Sequence, residues 1–281
     1  MDVSIITPMF HGDRYIDKIS KIVKELAKNS NNVEIEWIII NDLPNTTVEL
    51  PKIRQKNITL KYEENKINLG IQRSRIKGIN IATGKYLLML DQDDYISKNM
   101  INICLKKIGN SDVCITNGYS EKKKDELVPI FKSKNQMRLI KDIKYYFYIG
   151  NLIASPGMAL IKKASIPKKW LNNPLNINGA DDWLLWTMML AEHCEFIVVD
   201  EKEYIHQKYE DNTSDNNLQM LRSSFEASNV FKNEFYNYSW LVKKYKKRLT
   251  MRENYEENGK SKVLEYIKNP DIAFYLLKLK V

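Results

Sequence analysis

Glycine-rich phosphate loops are missing from this chain. Neither Gly-x-Gly-x-x-Gly nor Gly-x-x-x-x-Gly-Lys-Ser/Thr occurs in its 281 residues, which takes support from dinucleotide-binding Rossmann and P-loop readings. Cysteine is scarce: Cys104, Cys114 and Cys194 form no Cys-x-x-Cys pair. Each sits among apolar residues and reads as a small buried hydrophobe, which points weakly to a reducing cytoplasm. No apolar run reaches the length needed to cross a bilayer, and strand-like sequence starts almost at once, with no basic-then-apolar leader. A soluble or peripheral protein is expected. Internal repeats and low-complexity linkers are absent as well.

The rest is ordinary for a folded domain, with 43% hydrophobic and 28% charged residues. The length suits one large α/β domain with an appendage. A net charge of +9 favours anionic partners: nucleotides, nucleic acid or an acidic membrane surface. Charge alone does not choose among them.

Taken in order, Val3 to Thr7 is a short apolar strand stopped by Pro8. Ile16, Ile19, Ile22, Val23 and Leu26 recur at helical spacing between Tyr15 and Ala27. Trp37 to Ile40 is a second buried strand ending on Asn41-Asp42, and Ile58 to Tyr62 a weaker third. A helix from about Ile71 to Ala82 carries Arg73, Arg75 and Lys77, and Tyr86 to Leu90 is the fourth strand. A helix over Lys98 to Lys107 and strands at Val113–Thr116, Met158–Ile161 and Phe196–Val199 follow, with Tyr204-Ile-His206 shortly after. Glu121 to Glu126 reads as a solvated loop or hairpin, and Lys132 to Tyr148 has no clear period. Leu184 to Leu190 is apolar almost all round, so that helix should be deeply buried. After about Leu218 the sequence is helical, interrupted near Asn258-Gly259 and Asn269-Pro270. This alternation predicts a doubly wound, mostly parallel sheet flanked by helices, with a helical C-terminal extension. The expected division is a sheet domain over 1–215, in halves 1–118 and 119–215, and the helical extension over 216–281.

Three carboxylates, Asp91, Asp93 and Asp94, lie within four positions directly after the fourth strand. Like charges crowded there repel unless a cation or ligand compensates them. The tetrad is either a solvated turn or a cation site. Thr7-Pro8, Asn41-Asp42 and the stretch Asn68 to Arg75 also follow or flank strands. On a doubly wound sheet they converge on one edge with the tetrad, as a nucleoside diphosphate site requires.

The ordered set Val3-Ser-Ile-Ile-Thr-Pro8, Trp37-Ile-Ile-Ile-Asn-Asp42, Asn68-Leu-Gly70, Arg75, Gly78, Ala82-Thr-Gly-Lys-Tyr86, Leu90-Asp-Gln-Asp-Asp94 and Gly179-Ala-Asp-Asp-Trp183 resembles the family 2 glycosyltransferases. Their fold is the GT-A nucleotide-diphospho-sugar transferase fold, and the resemblance covers roughly residues 1 to 210. It implies that Thr7, Pro8, Asp42, Asn68, Arg75, Asp91 and Gln92 bind the nucleotide sugar. Asp42 would accept the uracil N3–H, and Asp93 would ligate Mn2+ or Mg2+, with His206 either a further ligand or an ordinary packed histidine. Asp182 would be the base of an inverting transfer, with Asp181 the alternative, since either can cap the helix. The family more often has Glu before that Asp, so Asp181 is a departure. His11 and Gly12 would shape the sugar or phosphate pocket.

The resemblance implies a non-processive hexosyl- or N-acetylhexosaminyl-transferase: the Gln/Arg-x-x-Arg-Trp motif of processive synthases and their membrane helices are absent. The donor is expected to be a UDP-sugar, and the acceptor a glycan or lipid-linked glycan of a bacterial surface polymer. The basic-aromatic run Asn237 to Arg248 either docks on an anionic membrane or packs as a helix face, and the tail could pair two subunits as a homodimer. Location in the cytoplasm, peripheral to the inner face of the membrane, is the corresponding expectation. Nucleic acid is disfavoured for want of a motif. The alternatives are a sugar nucleotidyltransferase on a related fold, whose glycine-rich triphosphate loop is missing, and a basic binding module without catalysis.

Overall fold

A computed structural model describes residues 1–30, 32–46, 48–123, 126–207 and 216–280. It divides the chain into two compact units interleaved in sequence. Unit 1 comprises Met1–Ile130, Ala154–Ile166 and Glu195–Tyr209; unit 2 comprises Phe131–Ile153, Pro167–Cys194 and Glu210–Val281. The segment 119–215, expected as one half, is thus shared between the units.

Unit 1 is built on a nine-stranded sheet. Its strands are β1 (Val3–Met9), β2 (Ile35–Asn41), β3 (Ile58–Glu64), β4 (Tyr86–Met89), β5 (Tyr95–Ile96), β6 (Val113–Lys123), β7 (Glu126–Pro129), β8 (Ala159–Lys162) and β9 (Phe196–His206). The order is β3-β2-β1-β4-β8-β6-β9-β5, with β7 paired to β6. β1 and β2 are buried at every position, as apolar runs in the middle of a parallel sheet must be. β3 is buried only at Ile58, and its Lys and Glu residues suit an edge. β3, β2, β1 and β4 run parallel, as do β6 and β9, whereas β8 lies antiparallel between β4 and β6.

The expected doubly wound, mostly parallel sheet is therefore present. Tyr204-Ile-His206 proves to be the end of the long β9 rather than a separate piece. The charged run after Glu121 is the β6–β7 hairpin, with a register shift between Glu121 and Lys123. Helices α1 (Ile16–Asn29), α2 (Ile71–Ile81) and α3 (Met100–Ile108) belong to this unit. The predicted apolar stripe of α1 is buried, α2 packs on β1 and β2, and α3 packs on β6 and β9.

Unit 2 is helical, with α4 (Lys134–Leu139), α5 (Ile143–Tyr148), α6 (Lys168–Asn172), α7 (Asp181–Ala191), α8 (Asn217–Glu234), α9 (Ser239–Glu256), α10 (Lys262–Ile267) and α11 (Pro270–Lys280). The aperiodic stretch 132–148 becomes two short helices begun by side-chain caps, Ser133 and Asp142. Aromatic rings fill the core. Trp183 stacks on Tyr245 at 4.3 Å, and Phe147 meets Trp183 and Phe231 edge-on at 5.3 and 5.2 Å. Tyr245, from the basic-aromatic run, is thus a core residue, whereas Trp240 beside it is half exposed. Among the described residues no helix is long and apolar enough to cross a membrane.

Candidate functional site

The carboxyl ends of β1, β2 and β4 lie side by side. Met9 pairs with Asn41, and the Leu90 N–H donates to the Ile6 carbonyl at 2.9 Å. Everything that follows these strands is delivered to one edge of the sheet, where open α/β folds bind ligands.

Asp42 is buried and organises the loop before α2. Its Oδ1 accepts from Asn65 Nδ2 and the Leu69 N–H, and its Oδ2 from the Gly70 N–H, all at 2.8 Å. A carboxylate has about four acceptor positions, so about one stays open. Asn68 is exposed and accepts from the Gly70 N–H at 3.0 Å. Thr7 is fully buried, and its hydroxyl accepts from Trp37 Nε1 at 3.1 Å; the side chain serves the core. Pro8 is buried within the β1–β2 ladder, opposite Ile40.

The three carboxylates of the tetrad have separate surroundings. Asp91 receives Arg75 Nη2 at 2.5 Å and Ser155 Oγ at 3.3 Å, and Arg75 itself is buried. Asp94 is fully buried; its Oδ2 accepts from the Tyr204 hydroxyl at 2.5 Å and its Oδ1 lies 3.2 Å from His206 Nδ1. Asp93 is half-buried, and among the described residues no other side chain donates to its carboxylate. Burial, followed by the charges of Asp94 and Asp91, pushes its pKa up to about 6. The hydrogen bond with Asp94 raises His206 above its usual range, with burial opposing. A histidine whose Nδ1 is held by a carboxylate is oriented to offer Nε2 to a cation.

Gln92 does not face outward alone. Its amide donates to the Phe10 carbonyl at 2.9 Å and accepts from the Phe10 N–H at 3.0 Å. This pair of hydrogen bonds fixes the turn after β1, where His11 adopts a left-handed φ of 52°.

Sequence reasoning missed Lys18, Ser155 and Tyr204. Lys18, on the first turns of α1, donates to the Asp93 carbonyl and to Gln207 Oε1. Burial draws its pKa down against the pull of Asp94, Asp93 and Glu121. Nothing in a lone helical lysine announces a partner 75 residues away. Tyr204 was legible in principle, because residues 204 and 206 share one face of a strand.

Asp181 and Asp182 begin α7 in unit 2. Asp181 is buried and its carbonyl accepts from Trp170 Nε1 at 2.8 Å. Asp182 is half-buried; its Oδ2 accepts from Asn151 Nδ2 at 2.6 Å and its Oδ1 from the Trp183 N–H at 2.7 Å. The loop leading into α7 is tied to α8. Ser223 Oγ donates to the Ile177 carbonyl at 2.7 Å and accepts from the Ala180 N–H at 2.9 Å, and the Glu226 carboxylate accepts from the N–H groups of Asn176 and Ile177. Gly179 has a φ of 144°, a conformation that favours glycine, and a Cβ there would press on Met220 Sδ of α8 at 2.7 Å. Asn151 was not foreseen.

Residues 4–168 match the family described as glycosyl transferase family 2. An uncharacterized glycosyltransferase of Methanocaldococcus jannaschii is 26% identical over 207 residues, 72% of this chain and 70% of that protein. One of Mycoplasma genitalium is 34% identical over 112 residues, 38% of this chain and 37% of that one. Among solved structures, S. aureus TarS 1-349 in complex with UDP-GlcNAc superposes with a TM-score of 0.62 at 18% identity, covering 92% of this chain and 73% of that one. The mannosyltransferase PcManGT from Pyrobaculum calidifontis, in complex with GDP-Man and Mn2+, gives 0.53 at 11% identity, covering 99% and 85%.

Proposed function

The chain belongs to glycosyltransferase family 2, and from that premise we propose an inverting, metal-dependent, non-processive enzyme that moves one sugar from a nucleoside diphosphate to a hydroxyl acceptor. The observation that carries this reading is the half-buried Asp93 carboxylate, crowded by Asp91 and Asp94 and given no donor by another described side chain. A cation relieves that arrangement.

Among the described residues no three His, Cys, Asp or Glu side chains converge as a metal cage. This suits Mg2+ or Mn2+, which take one or two protein ligands and fill the remaining positions with water and phosphate oxygens. Asp93 and His206 Nε2 would be those ligands. When bound, the ion neutralises charge gathering on the leaving diphosphate.

The chain's own residues do the rest. Asp42 holds the loop at Leu69 and Gly70 and offers its open acceptor position to a base N–H, which favours uracil. Asn68 and Asp91 border the nucleoside. Arg75, fixed by Asp91, sets a cationic wall. Gln92 and Lys18 hold the Phe10 turn and the Asp93 backbone in register. Asp182, oriented by Asn151, takes the proton from the acceptor hydroxyl as that oxygen attacks the anomeric carbon from the face opposite the leaving group. Asp181, whose carbonyl receives the Trp170 indole, anchors the start of α7.

UDP-hexoses or UDP-N-acetylhexosamines are the donors this reading favours, and TarS and PcManGT carrying UDP-GlcNAc and GDP-Man support a nucleotide sugar. This reading extends to an acceptor hydroxyl on a surface glycan assembled at the cytoplasmic face of a membrane. A screen of nucleotide sugars by thermal shift, with and without Mn2+, tests the donor; a bound donor at 100 times its Kd stabilises by about 2.7 kcal/mol. Transfer by the preferred donor should fall about 100-fold to 10,000-fold in Asp182→Asn, and Asp93→Ala should remove the Mn2+ response. Full transfer in both variants would sink the mechanism.

A further inference from the structure

Arg248 is a cation with no anion beside it. It lies on α9, half-buried, with its guanidinium packed against Gly150: a Cβ built there would meet Nη2 at 3.0 Å. Gly150 also has a φ of 106°, so the chain keeps at this point the one residue that leaves the guanidinium its place. Three other cations of α9 are engaged. Lys244 reaches Asp271 at 2.6 Å, Lys246 donates to Asn229, and Arg252 binds Glu256 at 2.6 Å and Asn217 at 3.0 Å. Arg248, among the described residues, makes neither a hydrogen bond nor an ion pair. The groups close enough for electrostatic interaction are Tyr245, Tyr255 and Tyr266 and the cation Arg252.

A guanidinium stays charged in a protein, and removing it from water without a counter-charge is costly. Such a group persists where an anion completes it. Its planar fork of N–H donors matches the oxygens of a phosphate. The position is adjacent to chemistry already assigned. Gly150 is followed by Asn151, which donates to Asp182, and Tyr245 feels the charges of both Arg248 and Asp182.

We propose that Arg248 forms an anion subsite that receives a phosphate group of the acceptor, next to the hydroxyl deprotonated by Asp182. The proposal rests on the transferase reading and narrows its acceptor to a phosphate-bearing molecule, whether a glycan phosphodiester or a lipid headgroup. Gly150 leaves the guanidinium its room, and Tyr255 and Tyr266 interact with it electrostatically.

The test uses the full chain saturated with UDP and Mn2+, so that phosphate cannot enter the donor site, and methyl phosphate as the probe in a thermal-shift and calorimetric titration. Wild type should bind the probe, Arg248→Gln should weaken it about tenfold, and Arg248→Lys, which keeps the charge but loses the fork, should fall between. The melting temperature of each variant without ligand shows whether it folds; should Arg248→Gln fail, the lysine variant carries the comparison. Equal binding by wild type and Arg248→Lys or Arg248→Gln overturns the subsite, as does no binding by wild type. Sedimentation with phosphatidylglycerol vesicles separates the two sources: Arg248-dependent vesicle binding assigns the phosphate to a lipid, and probe binding without it to a glycan. Stabilisation by UDP reads the donor site separately, so the transferase reading can stand while the subsite falls, and the reverse.

Discussion

Asp93 is where stability and function pull apart. Its folded pKa, about 6, lies above the ordinary 3.8, so the fold favours the protonated acid. That contribution is present below the unfolded value and lost as pH rises through about 6. At pH 7.5 the metal-free protein therefore carries an ionised carboxylate that destabilises it. Asp93→Asn should raise the melting temperature of the metal-free protein, equivalent to about 1–2 kcal/mol, while abolishing any rise on adding Mn2+. A lower melting temperature in the variant would contradict this account. Arg75 predicts the opposite sign. Removing it as Arg75→Met leaves Asp91 partly buried without its cation, with an expected loss of about 3 kcal/mol in chemical denaturation.

At the level of the elements, Glu36 ties the far end of the sheet together. It is buried on β2 and accepts from Ser4 of β1, Lys61 of β3 and the backbone and hydroxyl of Thr83 before β4. Burial pushes its carboxyl up, but these donors outweigh it and hold the pKa at about 2, below the ordinary 4.5. A depressed value contributes stability above the unfolded pKa that is lost as pH falls through the folded one. Acid unfolding should therefore steepen between about pH 4.5 and 2, and Glu36→Gln should flatten that region.

Among the helices, α8 holds the start of α7. Ser223→Ala removes the acceptor of the buried Ala180 N–H and should cost about 1–3 kcal/mol, with a drop in kcat exceeding any change in donor KM. Strands and helices with strong period, such as β2 and α1, were legible from their apolar spacing. So was the convergence of Asp42, Arg75 and the tetrad, because chain order on a parallel sheet dictates it. The contacts of Asp94 with Tyr204 and of Asp93 with Lys18 were not legible, since those partners arrive from β9 and α1 across 110 and 75 residues. Gln92 also clamps Phe10, a backbone partner that no motif encodes. The helical C-terminal extension was legible from its helical period, which reports an apolar face although not what covers it.

For the whole molecule, the interleaving of the two units decides what can be cut away. A fragment ending at residue 215 lacks α8 and α9, which pack on α7 and α5. It should bind a hydrophobic dye and lose near-ultraviolet dichroism from Trp183, whereas the intact chain should not. The same connectivity sets an order of events during synthesis. β6 at 113–123 is flanked in the finished sheet by β8 and β9, both later in the chain. The sheet therefore waits for residue 206, by which point α7 has already emerged without α8 and α9 to cover it. A ribosome paused anywhere between residues 124 and 158 carries residues 113–115 of β6 with both edges open, because β8 and β9 are still to come, an invitation to pair with a neighbouring nascent chain. Chaperones that shield apolar nascent segments should matter most for this protein in that window.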